Sequence, residues 1–286
     1  MKQLKELKND NISKEFIQSR AEELLKSAQI AEAPVNLGLL ASFCDIKNIL
    51  LKDITHAGML CPLENGGAEI YLRNTDSESR RRFTCCHEIT HTFFPDYQLK
   101  PQMRTDKHVG RYSKKEWVEY LCDFGASELL MPNHLFSPIL EKLGFSIDTL
   151  YNLSKTFQSS LESTAIKMVN HDPKNRAIIV WEKKYKPSEC AIKEAIALPG
   201  FGSYKPTEKI RINFGVGLEK FGFIPSNKSL DETKNIIGRA FDGEDQIVGV
   251  EDLNFGNFMA KNCSVQAVPM EYAGTRKVLS LLNLNV

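Results

Sequence analysis

The residues of this chain best suited to chemistry are His87, Glu88 and His91. They form a His-Glu-x-x-His pattern inside Arg80-Arg81-Arg82-Phe83-Thr84-Cys85-Cys86-His87-Glu88-Ile89-Thr90-His91-Thr92-Phe93-Phe94. Four positions apart on a helix, two imidazoles project from one face, one above the other, and can reach a single cation. Glu88 sits beside that cation without ligating it, where a base for an attacking water is needed. Two histidines on a buried helix face are also what a pair of satisfied core imidazoles looks like. A third ligand separates the two readings.

That ligand is expected from a second helix. Ser113-Lys114-Lys115-Glu116 reads as a capping box, opening a helix that runs to about Leu130. On it, Glu119 and Asp123 are spaced i and i+4 and share a face, with Leu121 and Phe124 turned elsewhere. Glu119 follows His91 by 28 positions, enough for a loop and one turn before an antiparallel helix returns to the site. Glu119 would close a His-His-Glu set that leaves a fourth position for water, and Asp123 would orient a ligand imidazole from behind. Glu116 is the alternative third ligand. The intervening loop, from Pro95 to Ser113 and rich in Lys, Arg and Pro, suggests a rim or lid. Its His108, Arg111 and Tyr112 are candidates for oxyanion or substrate contact, as is Tyr71, although solvated surface is the simpler reading of them.

These groups need elements to hold them. Residues 12–32 read as an amphipathic helix with Ile12, Phe16, Ala21, Leu24, Leu25 and Ala28 as its stripe, ended by Pro34. A short helix follows over Val35–Phe43. Three strand candidates come next, Asn48–Leu51, Gly58–Leu63 and Ala68–Arg73, the last two joined by Glu64-Asn65-Gly66-Gly67, which supplies the positive-φ residues of a hairpin. The spacing predicts a small, largely antiparallel sheet; by analogy with metallopeptidases of this general kind, Ala68–Arg73 would be the edge strand that pairs with an extended substrate. Thr75 and Glu78 form a candidate capping box for the metal helix, which Pro95 terminates. Beyond Pro132, Leu135–Leu143, Ser146–Phe157 and Ser159–Val169 read as three short helices, the last two in a helix-turn-helix-like arrangement.

With both motifs in view, the chain resembles the ImmA/IrrE family of metallo-endopeptidases. Arg80-x-x-Phe83-x-x-x-His87-Glu88-x-x-His91 is followed, in the family's order and spacing, by Glu119-x-x-Cys122-Asp123-x-x-Ala126-x-Glu128-Leu129-Leu130-Met131-Pro132. The resemblance spans about residues 16–170. Asp123 stands where many members have Asn, and Gly125 where Phe is common. The resemblance implies a zincin-like fold and cleavage of a helix-turn-helix repressor protein, which switches on stress-response or mobile-element genes. By analogy it also implies a sensory, GAF-like C-terminal domain, with a purely structural or dimerising domain equally compatible.

Composition bounds the rest. The 286 residues carry a formal net charge of +1 and 42% hydrophobic residues, which suits a globular chain with no global pull toward nucleic acid or membrane. The charged N-terminus is unlike a signal peptide, and no apolar run is long enough for a bilayer. Seven cysteines without a Cys-x-x-Cys read as reduced, mostly buried thiols of a cytoplasmic protein. Between Met131 and Asn170, Lys142, Lys155 and Lys167 balance Glu141, Asp148 and Glu162, so protein docking is favoured over DNA binding. His171-Asp172-Pro173-Lys174-Asn175 marks a boundary. After it, Arg176–Trp181, Lys209–Phe214, Gln246–Val250 and Ser264–Pro269 read as strands and Asp231–Phe241 as a helix.

The expected architecture is α+β in three parts: a zincin-like metallopeptidase domain (1–132), a helix-turn-helix-like helical block (133–171) and a mixed α+β domain (172–286). The expected activity is that of a metallo-endopeptidase using Zn²⁺, with Mn²⁺ or another divalent ion as alternatives, and with a protein substrate. The rival reading is a regulatory protein that binds a repressor, a toxin or antitoxin partner, or DNA through its helical block without cutting.

Overall fold

Ser13 begins the first helix by accepting the amide of Phe16, which caps α1 (Lys14–Ser27). The helix stops earlier than expected, well before Pro34. The Ala28 amide bonds back to the Leu24 carbonyl and the Gln29 amide to that of Lys26, and Gln29 turns the chain with φ of 52°. Ile17, Ala21, Leu24 and Leu25 are buried, whereas Phe16, expected in the stripe, is half-buried. The computed structural model describes residues 12–97, 102–104, 116–194, 206–230, 235–243, 245–272 and 274–284.

The chain divides into two units, residues 1–144 with 149–164, and residues 145–148 with 165–286. In the first, α2 (Leu37–Phe43), capped by Asn36, leads into a four-stranded sheet. Its strands are β1 (Ile46–Lys52), β2 (Gly58–Pro62), β3 (Ala68–Arg73) and β4 (Gln102–Arg104), in the order β1-β3-β2-β4. The β2–β3 hairpin is the expected one, with Gly66 and Gly67 at φ of 85° and 79°. The sheet is mixed. β2 pairs antiparallel with β3 and β4, but β1 pairs parallel with β3.

That parallel pairing corrects one expectation. Ala68–Arg73 is not an edge strand: β1 bonds one side of it from Ile46 to Lys52, and β2 bonds the other. Its backbone groups are already used, so it cannot receive a substrate strand. The outer edge on the β2 side belongs to β4.

The helices α3 (Glu78–His91), α4 (Trp117–Leu130), α5 (Asn133–Leu143), α6 (Ile147–Phe157) and α7 (Leu161–Val169) follow. α4 packs on both α1 and α3. Trp117 Nε1 donates to the Ile12 carbonyl at 3.0 Å, and Lys14 lies over the rings of Tyr120 and Phe124. Phe136 on α5 and Phe157 on α6 pack ring to ring at 5.5 Å.

The second unit is built on β5 (Arg176–Lys184), β6 (Lys209–Gly217), β7 (Ile247–Asn254), β8 (Met259–Tyr272) and β9 (Thr275–Asn283), an antiparallel sheet in the order β6-β5-β9-β8-β7. Among the described residues, α8 (Pro187–Glu194) and α9 (Ile236–Asp242) accompany it, the latter overlapping the helix expected over 231–241 and ending one residue beyond it. Trp181, Ile237, Val265 and Val278 belong to its core, and Trp181 Nε1 donates to Ser280 Oγ at 2.8 Å. β9 was not anticipated. Val278–Leu282 is buried throughout, so it lacks the polar alternation by which a strand is read. Among the described residues, no helix is long and apolar enough to cross a membrane.

Candidate metal centre

The site is assembled by α3 and α4. Ser77 caps α3 by accepting the Arg80 amide, so the cap sits two residues beyond Thr75 and Glu78 becomes the first helical residue. Extended φ and ψ at Ser77 (−61°, 156°) make it the hinge between strand and helix. Asp76 receives Arg73 at 2.8 Å and Arg80 at 3.2 Å, which fixes the angle at which the helix leaves the sheet. From Phe83 to His91 every residue of α3 is buried. The pattern is therefore a helix wrapped on all sides, with His87, Glu88 and His91 at 1%, 0% and 2% exposure.

α4 brings a carboxylate to the two imidazoles. Glu119 Oε2 lies 3.3 Å from His87 Nε2, and Glu119 Oε1 lies 3.8 Å from His91 Nε2. One carboxylate thus offers an oxygen to each ring, and the rings stand 5.0 Å apart at 71°. Glu119 keeps 33% of its side chain exposed, which marks the side on which the cluster meets solvent. Burial would push its carboxyl up, but the hydrogen bond from His87 and the charges of His87 and His91 outweigh that and hold it below the usual carboxylate range. Asp123, one turn on, contacts His87 Nδ1 at 2.7 Å. That leaves Nε2 of His87 facing Glu119, the orientation a ligand imidazole needs. Glu116 is the N-cap of α4, about a turn before Glu119. Ser113, its expected capping partner, lies outside the described residues.

Close backbone approach makes the arrangement fit. A Cβ on Gly125 of α4 would come within 2.5 Å of Thr90 Cγ2 and 2.9 Å of Ile17 Cγ2, so α3, α4 and α1 meet where only glycine fits. A Cβ on Gly58 of β2 would come within 2.3 Å of Thr84 Cγ2 and 2.9 Å of Glu88 Oε1. β2 therefore runs directly against the proposed base. Sequence reading gave neither glycine a part in the site; the available signal was a glycine inside a strand, which marks close approach.

Cys122 is also in the cluster. It is fully buried, with Sγ 3.4 Å from His91 Nδ1, and the ligand atoms of His87, His91 and Cys122 lie within 4.8 Å of one another. This buried cluster can hold a metal ion. The three donors His87, His91 and Glu119 also suit one: Nε2 of each ring faces the same carboxylate, and the set has the two-nitrogen, one-oxygen chemistry of an open divalent site. Cys122 meets the other nitrogen of His91. An imidazole that binds through Nε2 presents its Nδ1 to an outer partner, and the two cannot swap without turning the ring.

The remaining candidates fall elsewhere. Tyr71 donates to Glu69 Oε2 at 2.8 Å, and Lys52 lies over its ring. Strand alternation puts Ala68, Ile70 and Leu72 on the buried face of β3 and Tyr71 on the opposite one. His108, Arg111 and Tyr112, together with most of the expected rim or lid, lie outside the described residues. All seven cysteines are free thiols; burial pushes Cys86 up to about 12, against the opposing charge of Arg82.

Residues 46–169 match the family model of the IrrE N-terminal-like domain, peptidase family M78. Over these residues the chain carries the metallopeptidase-type domain that characterises the ImmA/IrrE family. The IrrE-like domain contains α3, α4 and every residue of the metal cluster. Among solved structures, the chain is similar to a Mycobacterium tuberculosis transcriptional regulator, with a TM-score of 0.56 and 12% sequence identity over 96% of this chain and 78% of that one. That likeness is one of fold. A comparison with curated protein sequences gives no significant match.

Proposed function

We propose that this protein is a cytoplasmic zinc-dependent endopeptidase that cuts a protein substrate, a helix-turn-helix repressor, and so derepresses stress-response or mobile-element genes. The observation that carries the reading is the single Glu119 carboxylate facing Nε2 of both His87 and His91, with the Glu88 carboxyl buried beside them on the same helix. His87, His91 and Glu119 would hold the ion, and Asp123 would keep His87 in the ligating orientation. Bound there, zinc would polarise the scissile carbonyl and acidify the attacking water. Glu88 accepts the proton that this water loses on attack, then delivers it to the amide nitrogen as the C–N bond breaks. The outer edge of β4 would pair with the extended substrate backbone, the part first expected of Ala68–Arg73. Residues 133–171 would dock the protein partner, and residues 172–286 would respond to a signal.

The likeness to a protein named as a transcriptional regulator favours a second reading, a regulator that binds a repressor or another partner without cutting it. Glu88→Gln separates the two. The amide keeps the size of the side chain but accepts no proton at neutral pH. At equal metal content, cleavage of a repressor encoded beside this gene should fall about 10²–10⁴-fold, the usual contribution of a general base. Equal cleavage by both proteins would remove Glu88 from the mechanism. Binding of the repressor without cleavage by either would favour the regulator.

A further inference from the structure

The two imidazoles of the candidate site are backed by unlike groups. Behind His87 stands the Asp123 carboxylate, 2.7 Å from Nδ1; behind His91 stands the Cys122 sulfur, 3.4 Å from Nδ1. Cys122 and Asp123 are neighbours on α4, and Cys122 is three positions after Glu119. Positions i and i+3 or i+4 share a helix face, so one turn of α4 presents both outer partners together with the carboxylate that faces the two Nε2 atoms. Cys122 is wholly buried and forms no disulfide. Its separation from nitrogen is that of a hydrogen bond to sulfur, which is longer than one to oxygen because sulfur is larger and a weaker acceptor.

We propose that Cys122 is a positioning residue of the metal site, its sulfur accepting the Nδ1–H of His91 so that Nε2 is held toward the ion. This rests on the metallopeptidase reading and adds the partner of the second imidazole. His91 Nε2 faces Glu119 Oε1 at 3.8 Å, and to ligate there it must be free of its proton, which then resides on Nδ1. A proton on a buried Nδ1 needs an acceptor, and the Cys122 sulfur is in place to be that acceptor. Because a neutral thiol is a weaker partner than a carboxylate, Cys122 should matter less to metal affinity than Asp123. The competing assignment, Cys122 as a ligand in its own right, would require His91 to present Nδ1 and not Nε2 to the ion.

The test uses the full-length protein, stripped of metal and titrated with Co²⁺ and Zn²⁺, comparing wild type with Cys122→Ala, Cys122→Ser and Asp123→Ala. Losing an outer partner of a ligand histidine typically weakens binding about 10–100-fold. We expect Cys122→Ala near the lower end of that range, Asp123→Ala near its upper end, and Cys122→Ser restored toward wild type, because a hydroxyl oxygen also accepts. The Co²⁺ spectrum of the wild type should show no thiolate-to-metal charge-transfer band. Thermal unfolding of the metal-free proteins corrects for any loss of packing at position 122. A charge-transfer band that vanishes in Cys122→Ala would make Cys122 a ligand and overturn the proposal. Unchanged affinity in Cys122→Ala would reduce it to a packing residue and overturn it equally. Failure of the wild type itself to bind either ion would instead overturn the metallopeptidase reading on which the proposal stands.

Discussion

At the scale of the residue, the site depends on which nitrogen of each ring faces inward. Asp123 at 2.7 Å settles this for His87, and the Glu119 carboxylate meets the inward-facing Nε2 atoms of both rings. These contacts predict a sharp contrast between two carboxylates on one helix. His87→Ala, His91→Ala and Glu119→Ala should each lower zinc occupancy by more than the roughly 10–100-fold typical of losing an outer partner. Glu116→Ala should leave occupancy unchanged, because that residue forms the N-cap about a turn away. Metal analysis of the four purified variants is the check. Full occupancy in Glu119→Ala with loss in Glu116→Ala would hand the role to Glu116. That His87, Glu88 and His91 come together on one buried helix was legible in the sequence because the spacing of a helix face is fixed by geometry. Glu119 and Asp123 were legible because an i, i+4 pair has little freedom. The positions of Cys122 and of the two tight glycines were not, since they express how closely separate elements meet.

At the scale of the element, the distance between α3 and α4 governs whether Glu119 reaches the histidines. Gly125 sets that distance, with Thr90 Oγ1 2.8 Å and Cγ2 2.5 Å from where a Cβ would stand. Thr90 is β-branched and its hydroxyl donates to the Cys86 carbonyl at 2.8 Å, so it has little room to give. Gly125→Ala gains about 1 kcal/mol in helix propensity. Overpacking in a filled core costs about 1–3 kcal/mol, and here the contacts fall below any normal carbon separation, so strain should win. We expect a lower Tm and weaker zinc binding from the single variant. Thr90→Ala added to it should recover part of both, because it removes two of the three closest atoms. A Gly125→Ala protein with raised Tm and undiminished zinc affinity would show that the helices part without cost. The same scale explains what sequence reading misplaced. Ala68–Arg73 alternates well enough to be read as a strand, but pairing on both sides follows from β1 returning parallel to it, which no local pattern encodes. Ser77 displaced Thr75 as cap because Asp76 is engaged by Arg73 and Arg80, leaving the next residue at the helix mouth.

At the scale of the whole molecule, the question is what the chain is drawn to, and charge decides it. A net charge of +1 provides little attraction to a polyanion. The helical segment from α5 to α7 is poorer in usable cations than its sequence suggests. Of Lys142, Lys155 and Lys167, the last is only 3% exposed, while the first two stand in solvent and are matched in number by the exposed Glu141 and Asp148. Two phosphate contacts would give a salt slope of about −2, so affinity would change only on the order of tenfold between 50 and 200 mM salt. A reader of DNA with six to ten such contacts loses about 10³–10⁵ over the same range. The full-length protein should therefore bind random duplex weakly and with that shallow slope, as measured by fluorescence anisotropy across a salt series. Its helical segment would then serve to dock a protein partner, in keeping with the proposed endopeptidase, whose substrate would itself be the DNA-binding component. A tight complex with a steep slope, flattened in a Lys142→Ala and Lys155→Ala double variant, would instead put nucleic acid on this face.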